Sequence, residues 1–475
     1  MTSILGLILI TGLPVSAEIS SESTDSKPSV VLTLDDCIAK ALENNIDLKN
    51  LLDRLPVSHE RIRDAKRKLW PSLALAITDI SNLSDPKGFS PGDPSPTRGT
   101  IPGEGLQASA DLTFPLYDFG SRQSGIRLEK ESLSLIETSI SKIHQDIVYQ
   151  VISLYLSVLE RRAEVDVRTE QLAQAYESLN VAKGRLHFGT SIEYEVLLEE
   201  AYFAQAQADL LSTENALKNA RRTLLLAMYQ DINTEIELAP IDIDAIVDIS
   251  DAGLIETAAA NRVEFHRYNA EIESYRQQLK LLQATRYPNL NFFASYSQQG
   301  DDFDTMKHAD IAWSAGLSLR FSPFRDANIT GSTSRHWLDS SDFMQRNSLG
   351  ISLNDGSTTR SREAEILVTL RKLQMELAHL KDVVGAEALT AWEMYQASRS
   401  VLSARQKGLA AMEENERIQQ KRYELGLNQY KDVVDARAER VAAKIALNRA
   451  SYSMEHYKMN LEYVLGLLGY QESSQ

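Results

Sequence analysis

A single cysteine, Cys37, stands among 475 residues, so no internal disulfide is available, and its apolar neighbours read it as a helix-packing residue. The eight histidines are scattered, with neither an HExxH pair nor a Cys/His cluster of zinc spacing. No Walker motif, Rossmann fingerprint or nucleophile elbow occurs, so neither nucleotide hydrolysis nor covalent catalysis is expected, and no cofactor. Basic residues are the minority: 50 Lys and Arg against 66 Asp and Glu give a formal net charge of −16. That balance opposes the counterion release on which nucleic-acid binding depends, which excludes nucleic acid as a partner. No stretch offers ~18 consecutive apolar residues, so a spanning helix is excluded and any membrane crossing must use a barrel. Proline and glycine are also few, 13 and 22, and they collect between long stretches of Ala, Leu, Glu, Gln, Lys and Arg. Long helices are the first expectation.

The run from Ile4 to Val15 is apolar and ends in Val15-Ser16-Ala17, a small-x-small pattern that predicts a signal peptide over 1–17. No Lys or Arg precedes the apolar run, and a short buried helix is the alternative reading. No cysteine follows the cleavage position, so a lipid anchor is not expected, and 18–30 reads as a flexible polar leader.

The chain repeats itself. Ala41, Asn44, Pro71 and Leu73 match Ala258, Asn261, Pro288 and Leu290 at a constant shift of 217 residues (Pro71 to Pro288). Further on, Arg185 to Gly189 matches Arg422 to Gly426 at a shift of 237 (Gly189 to Gly426), continuing through Val196/Val433, Ala201/Ala438 and Leu224/Leu461. The difference marks an insertion over about 325–354, rich in Ser, Asp, Asn and Arg, which the sequence does not assign to either side of a membrane. The repeat units are 31–240 and 241–475. Each reads as a short helix, a medium helix, two strands, a very long helix, a turn and another helix. Thr33 is a candidate N-cap for the first helix, and Pro71 and Pro288 stop the medium helices.

The strands are expected at about 72–80, 107–114, 289–297 and 313–321. Ala108, Ala110, Leu112 and Phe114 alternate with Gln107, Ser109, Asp111 and Thr113; Ala315, Leu317, Leu319 and Phe321 alternate with Ser314, Gly316, Ser318 and Arg320. Their lengths of about 9 to 11 residues suit a tilted bilayer crossing with one apolar face. Trp70, Phe114, Tyr117, Tyr287, Trp313 and Phe321 near the strand ends read either as interfacial girdles or as packing in a soluble sandwich. Four such strands cannot close on themselves, and open edges in hydrocarbon leave backbone groups unpaired, so a barrel demands several copies of the chain.

Long helices are expected over about 121–185 and 360–422, followed by helices over about 192–228 and 430–467. The first of these would run roughly 95 Å at 1.5 Å per residue. Ile136, Ile140, Ile143, Ile147, Val151 and Leu154, then Leu172, Ala175, Leu179, Ala182 and Leu186, step by three and four as in coiled coils. Leu197, Ala201, Ala204 and Ala208 mirror Val434, Ala438, Val441 and Ile445 as a second ladder of close-packing positions.

Four features jointly resemble the TolC family of outer-membrane efflux proteins across essentially the whole mature chain. They are the opening Leu32-Thr33-Leu34-Asp35-Asp36-Cys37-Ile38-Ala39-Lys40-Ala41-Leu42, the strand exit Phe114-Pro115-Leu116-Tyr117-Asp118-Phe119-Gly120, the duplicated long helices, and the turn Tyr423-Glu424-Leu425-Gly426. The resemblance implies a mainly α protein with a β-barrel portion. Three protomers of four strands each would form a twelve-stranded outer-membrane β-barrel, continued by a periplasmic α-helical barrel. It implies the outer membrane of a Gram-negative bacterium, contact with outer-membrane lipid, and a passive exit channel of a tripartite efflux or type I secretion system. The implied partners are a homotrimer's other copies, a periplasmic adaptor and an inner-membrane transporter of RND or ABC type. By position, Asp432 and Asp435 fall on the family's gate aspartates, three apart and so on one helical face. Glu195 and Tyr423 match positions that hold the closed tip. Phe188, Gly189, Leu425, Gly426 and Leu427 match the adaptor-docking motif. Asn428 stands where the family prototype has an arginine facing the position of Glu195, so closure is expected to be built differently here. A soluble periplasmic coiled-coil scaffold remains the alternative; it explains the helices and the acidity but not two copies of the strand alternation.

Overall fold

The computed structural model describes residues 30–80, 105–241, 253–284, 286–300, 311–324, 327–338, 342–353 and 357–468. The expected signal peptide and nearly all of the leader lie outside the described residues, as does most of the loop between the first two strands. The first repeat runs β1 (Val30–Leu32), α1 (Leu34–Asn44), α2 (Ile46–Leu52), α3 (Arg54–Arg67), β2 (Ser72–Ile80), β3 (Gly105–Tyr117), α4 (Ser121–His187), α5 (Glu193–Ala227) and β4 (Ile236–Leu238). The second runs α6 (Leu254–Asn261), α7 (Val263–Ala284), β5 (Asn289–Gly300), β6 (Ile311–Phe324), β7 (Ala327–Leu338), β8 (Asp342–Leu353), α8 (Ser357–Glu424) and α9 (Tyr430–Val464).

Helix α1 opens with a reciprocal capping box, in which the Asp36 N–H donates to Thr33 Oγ1 at 3.2 Å and the Thr33 N–H donates to Asp36 Oδ2 at 3.0 Å. The single medium helix expected before Pro71 is broken into α2 and α3 at Asp53. Pro56 lacks an N–H and is accommodated only in the first turn of a new helix.

The strands form one antiparallel sheet in the order β2-β3-β5-β6-β7-β8, six strands among the described residues. The expectation of four strands per chain is corrected here. The insertion, which the sequence left unassigned to either side of a membrane, forms the hairpin β7–β8, with β7 paired along β6. Thr333, Arg335, Gln345 and Asn347 interrupt its apolar face, and the broken alternation hid it. Strand ends Ser72, Tyr117, Asn289 and Leu353 adjoin the helices, while Ile80, Gly105, Gly300, Ile311 and Asp342 lie at the far end. One face carries Leu73, Leu75, Leu112, Phe292, Trp313, Leu317 and Leu319, and the other Ser109, Asp111, Ser295, Ser314 and Ser318. At the helix end, Phe119 sits edge-on to Tyr117 and stacks on Tyr287, with ring centroids 4.7 and 5.1 Å apart. At the far end Trp313 meets Tyr296 at 4.8 Å.

The strand-to-helix knuckle is fixed by Asp118. Its carboxylate accepts from the N–H of Gly120 and Arg122 and from Arg122 Nε at 2.7 Å, while Arg122 Nη1 donates back to the Pro115 carbonyl at 3.2 Å. Burial opposes ionisation of Asp118, but these donors outweigh it and hold the carboxyl below its usual range.

Helix α4 has 67 residues and α8 has 68, roughly 100 Å each at 1.5 Å per residue. Each folds back on a 35-residue partner, α5 and α9. α4 packs against both α5 and α9, and α9 packs against α8, giving the lateral order α5-α4-α9-α8. Cys37, Ala41, Ile147, Val151, Tyr155, Leu224 and Met228 share one core, and Val384, Ala388, Tyr395 and Leu461 another. Cys37 is a packing residue, and burial pushes its thiol up to about 11. Of the second ladder, Ala201, Ala204 and Ala208 are exposed, and Leu197 is 55 % exposed. α5 buries the neighbouring stripe Val196, Ala206, Leu217 and Leu224 against α4 instead, which turns the Leu197 stripe outward. No helix among the described residues is long and apolar enough to cross a membrane.

Candidate functional site at the helical tip

Both helical hairpins turn by the same device. Gly189 (φ 69°) and Gly426 (φ 68°) take the left-handed conformation that only glycine adopts without strain. The Gly189 N–H donates to the Leu186 carbonyl at 3.0 Å and the Thr190 N–H to that of Arg185 at 2.9 Å; Gly426 donates to Tyr423 at 2.9 Å and Leu427 to Arg422 at 2.8 Å. These are paired Schellman closures, which satisfy the last carbonyls and leave the cap side chains outside. Phe188 is accordingly 80 % exposed, Leu425 73 % and Leu427 65 %. The five residues expected to dock an adaptor thus form two apolar knobs on glycine turns.

The two hairpins are tied together just above the turns. Tyr423 Oη donates to Glu195 Oε1 at 2.8 Å, and Ser191 Oγ donates to Glu195 Oε2 at 2.6 Å. One turn higher, the fully buried Glu199 accepts from Tyr430 Oη at 2.5 Å and from Arg437 Nη1 at 3.1 Å through the same oxygen. Arg437 also donates to Ser178 Oγ at 2.9 Å, and Glu416 sits between Arg437 and Arg440. The seam then continues up α4 and α9. Arg440 donates to Gln174, Lys444 to Glu170, and Arg449 to Glu160. Burial, then the hydrogen bond to its glutamate, raises the phenol of both Tyr423 and Tyr430, so both remain donors.

The expected residues Glu195 and Tyr423 are thus brought into direct contact. Asp432 and Asp435 stand in the first turns of α9, with separate local partners. Asp432 accepts from the Gln429 N–H at 3.0 Å as a cap, and Asp435 accepts from Lys431 at 2.5 Å on an exposed face. Asn428 makes no bond to Glu195; its amide donates to Gln419 Oε1 at 2.8 Å, within its own hairpin. Glu199, Tyr430, Arg437 and Glu416 were not singled out from the sequence. The signal was present as the spacing Glu195/Glu199, one turn apart, opposite the spacing Tyr423/Tyr430.

The family model described as outer membrane efflux protein matches this chain twice, over residues 37–228 and 254–467. The chain belongs to the outer membrane efflux protein family. Among curated relatives it is 22 % identical over 427 residues to the outer membrane efflux protein BepC of Brucella suis, covering 89 % of this chain and 82 % of that one. In fold it is similar to the CmeC outer membrane channel of Campylobacter jejuni, with TM-score 0.72, 14 % identity and coverage of 93 % and 87 %. It is likewise similar to the outer membrane protein VceC of Vibrio cholerae, with TM-score 0.70, 16 % identity and coverage of 91 % and 96 %. An outer membrane efflux protein is a channel and not an enzyme, and it resides in the outer membrane and extends into the periplasm. The reading as a soluble scaffold is thereby set aside.

Proposed function

We propose that the chain is one protomer of a homotrimeric exit duct that conducts cargo passively from a tripartite efflux or type I secretion system. One observation carries the reading: both layers of the fold are open sideways, and each has one edge from either repeat. The sheet ends in β2 and β8, and the helical layer ends in α5 and α8. Two open layers with matching ends close only through further copies of the same chain, and a rotation that joins one end to the other makes a ring. The apolar face of the sheet then meets outer-membrane lipid and the polar face lines the duct.

Energy comes from an inner-membrane transporter of RND or ABC type, reached through a periplasmic adaptor. The knobs Phe188-Gly189 and Leu425-Gly426-Leu427 offer that adaptor apolar contact area at the tip. Glu195 with Tyr423 holds the tip closed, and Asp432 and Asp435 from three copies stack two acidic rings at the mouth, which attract cations and are blocked by them. The test is conductance of the purified protein in planar bilayers. The wild type is expected to show cation-blocked openings, and Asp432→Ala with Asp435→Ala to weaken that block about tenfold or more, the loss of ~1.4 kcal/mol of binding. An unchanged block removes both aspartates from the mouth, and absence of conductance overturns the duct.

A further inference from the structure

The hairpin β7–β8 moves the edge of the sheet. Strand β7 pairs with β6 from Ala312↔Leu338 to Phe324↔Ala327, and β8 pairs with β7 from Ala327↔Leu353 to Leu338↔Asp342. A hairpin adds an even number of strands, so the chain returns to the helix end of the sheet where α8 starts. The faces continue across it. On the polar side Ser318, Ser332 and Ser348 stand in one row, with Ser332 and Ser348 hydroxyls 2.7 Å apart, and Ser334 bonds His336 at 2.9 Å. On the other side Trp313 lies opposite Trp337, Leu319 stands in one row with Gly331 and Leu349, and Phe321 with Ile329 and Ile351.

β6 is shaped to receive this neighbour. A Cβ at Gly316 would lie 2.2 Å from the Thr333 carbonyl oxygen of β7 and 2.8 Å from the Phe293 ring. Only glycine lets β7 and that ring approach together. The hairpin's apolar side does hold Thr333, Arg335, Gln345 and Asn347, with Thr333 Oγ1 donating to Asn347 Oδ1 at 2.8 Å. Arg335 and Gln345 form the row next to Trp313/Trp337, where an arginine stem reaches the headgroups and a charge costs about 0–1 kcal/mol; Thr333 and Asn347 stand one row further in and satisfy each other.

The edges left are therefore β2 and β8. β2 runs away from the helices and β8 runs towards them, so an antiparallel pair forms when one copy's β8 meets the next copy's β2. We infer that β8, not β6, is the strand that pairs with β2 of a second copy, so that each copy contributes six strands and a trimer closes eighteen. Barrel diameter grows about linearly with strand number, so this wall is about one and a half times as wide as a twelve-stranded one. The inference rests on the ring proposed above.

Disulfide scanning in outer-membrane vesicles tests it with the full chain. Ala74→Cys or Ala76→Cys on β2 is combined with Ser348→Cys or Ser352→Cys on β8, and separately with Ser314→Cys or Ser318→Cys on β6; all are on the polar face, and Cys37 stays buried. Covalent dimers and trimers on denaturing gels are expected from the β2/β8 combinations and none from β2/β6. A β2/β6 ladder overturns the inference and leaves the ring standing, with the hairpin outside the wall. No ladder from either, with the protein still in the outer membrane, overturns both. Electron microscopy of the detergent-purified protein counts the strands without mutation: eighteen supports the inference and twelve overturns it.

Discussion

Asn428 cannot reach across to α5 as an arginine would, and a neutral amide bonded to Gln419 brings no charge to the seam. The charge comes instead from Arg437, aimed at Glu199 beside the Tyr430 hydroxyl. Glu199 is fully buried and its second oxygen has no partner among the described residues, so each donor to the first oxygen matters. Tyr430→Phe removes one bond to a buried carboxylate, worth about 1.5–3 kcal/mol. The variant should therefore open about ten- to a hundredfold more often in planar bilayers, with trimer mass and helicity unchanged; wild-type opening would show that this contact does not hold the tip. The pair Tyr423/Glu195 was legible because the turn motif placed it. The pair Tyr430/Glu199 carried only a spacing, one turn above Glu195 on α5, and its members stand 231 residues apart, so the contact itself was not legible.

Where α6 meets α7, Arg262 Nε pairs with Glu264 at 3.3 Å and Lys142 of α4 with the same carboxylate at 3.0 Å, while Arg262 also binds Glu387 of α8. Burial opposes ionisation of Glu264, but bonds from its backbone and Lys142 and the charge of Arg262 outweigh it and hold its carboxyl below the usual range. A lowered folded value means the stabilisation is present above the ordinary glutamate range and is lost as pH falls through the lowered one. Glu264→Gln should cost about 2 kcal/mol at neutral pH, read as a lower unfolding temperature, and the gap to wild type should shrink as pH drops below the glutamate range. A gap that stays constant with pH would assign the loss to packing. Elements such as this joint were legible to differing degrees. β3 and β6 announced themselves by strict alternation about one apolar face. β7 and β8 did not, because their partner strand and Gly316 specify the pairing more than their own hydrophobicity does. The break between α2 and α3 was not read from the sequence, although Pro56 marks a place that a continuous helix would have had to bend around.

The exposed stripe on α5 shows what periodicity leaves out: it says that a helix has an apolar face, not which chain covers it. Leu197, Ala201, Ala204, Ala208 and Leu211 point away from α4, with Leu211 60 % exposed, although their spacing is that of a packed seam. Alanine at successive turns lets a second helix approach closely, and the unpaired helix at the other end of the layer, α8, exposes Met375, Leu389, Met394 and Val401. A seam along the 35 residues of α5 is roughly 50 Å long, enough, together with the sheet seam, to exceed the ~1,000 Å² that a stable interface needs. Ala201→Arg with Ala208→Arg puts two charges into that seam and leaves the α4-facing residues Val196, Ala206 and Leu217 untouched. Native mass in detergent should fall from that of the proposed trimer to that of a monomer, while far-ultraviolet dichroism keeps the helical signal of the wild type. Loss of the helical signal would mean that the stripe supports the chain itself. A trimer that survives both arginines would place the neighbour elsewhere, and the exposed alanines would then serve only the solvated side of the helix.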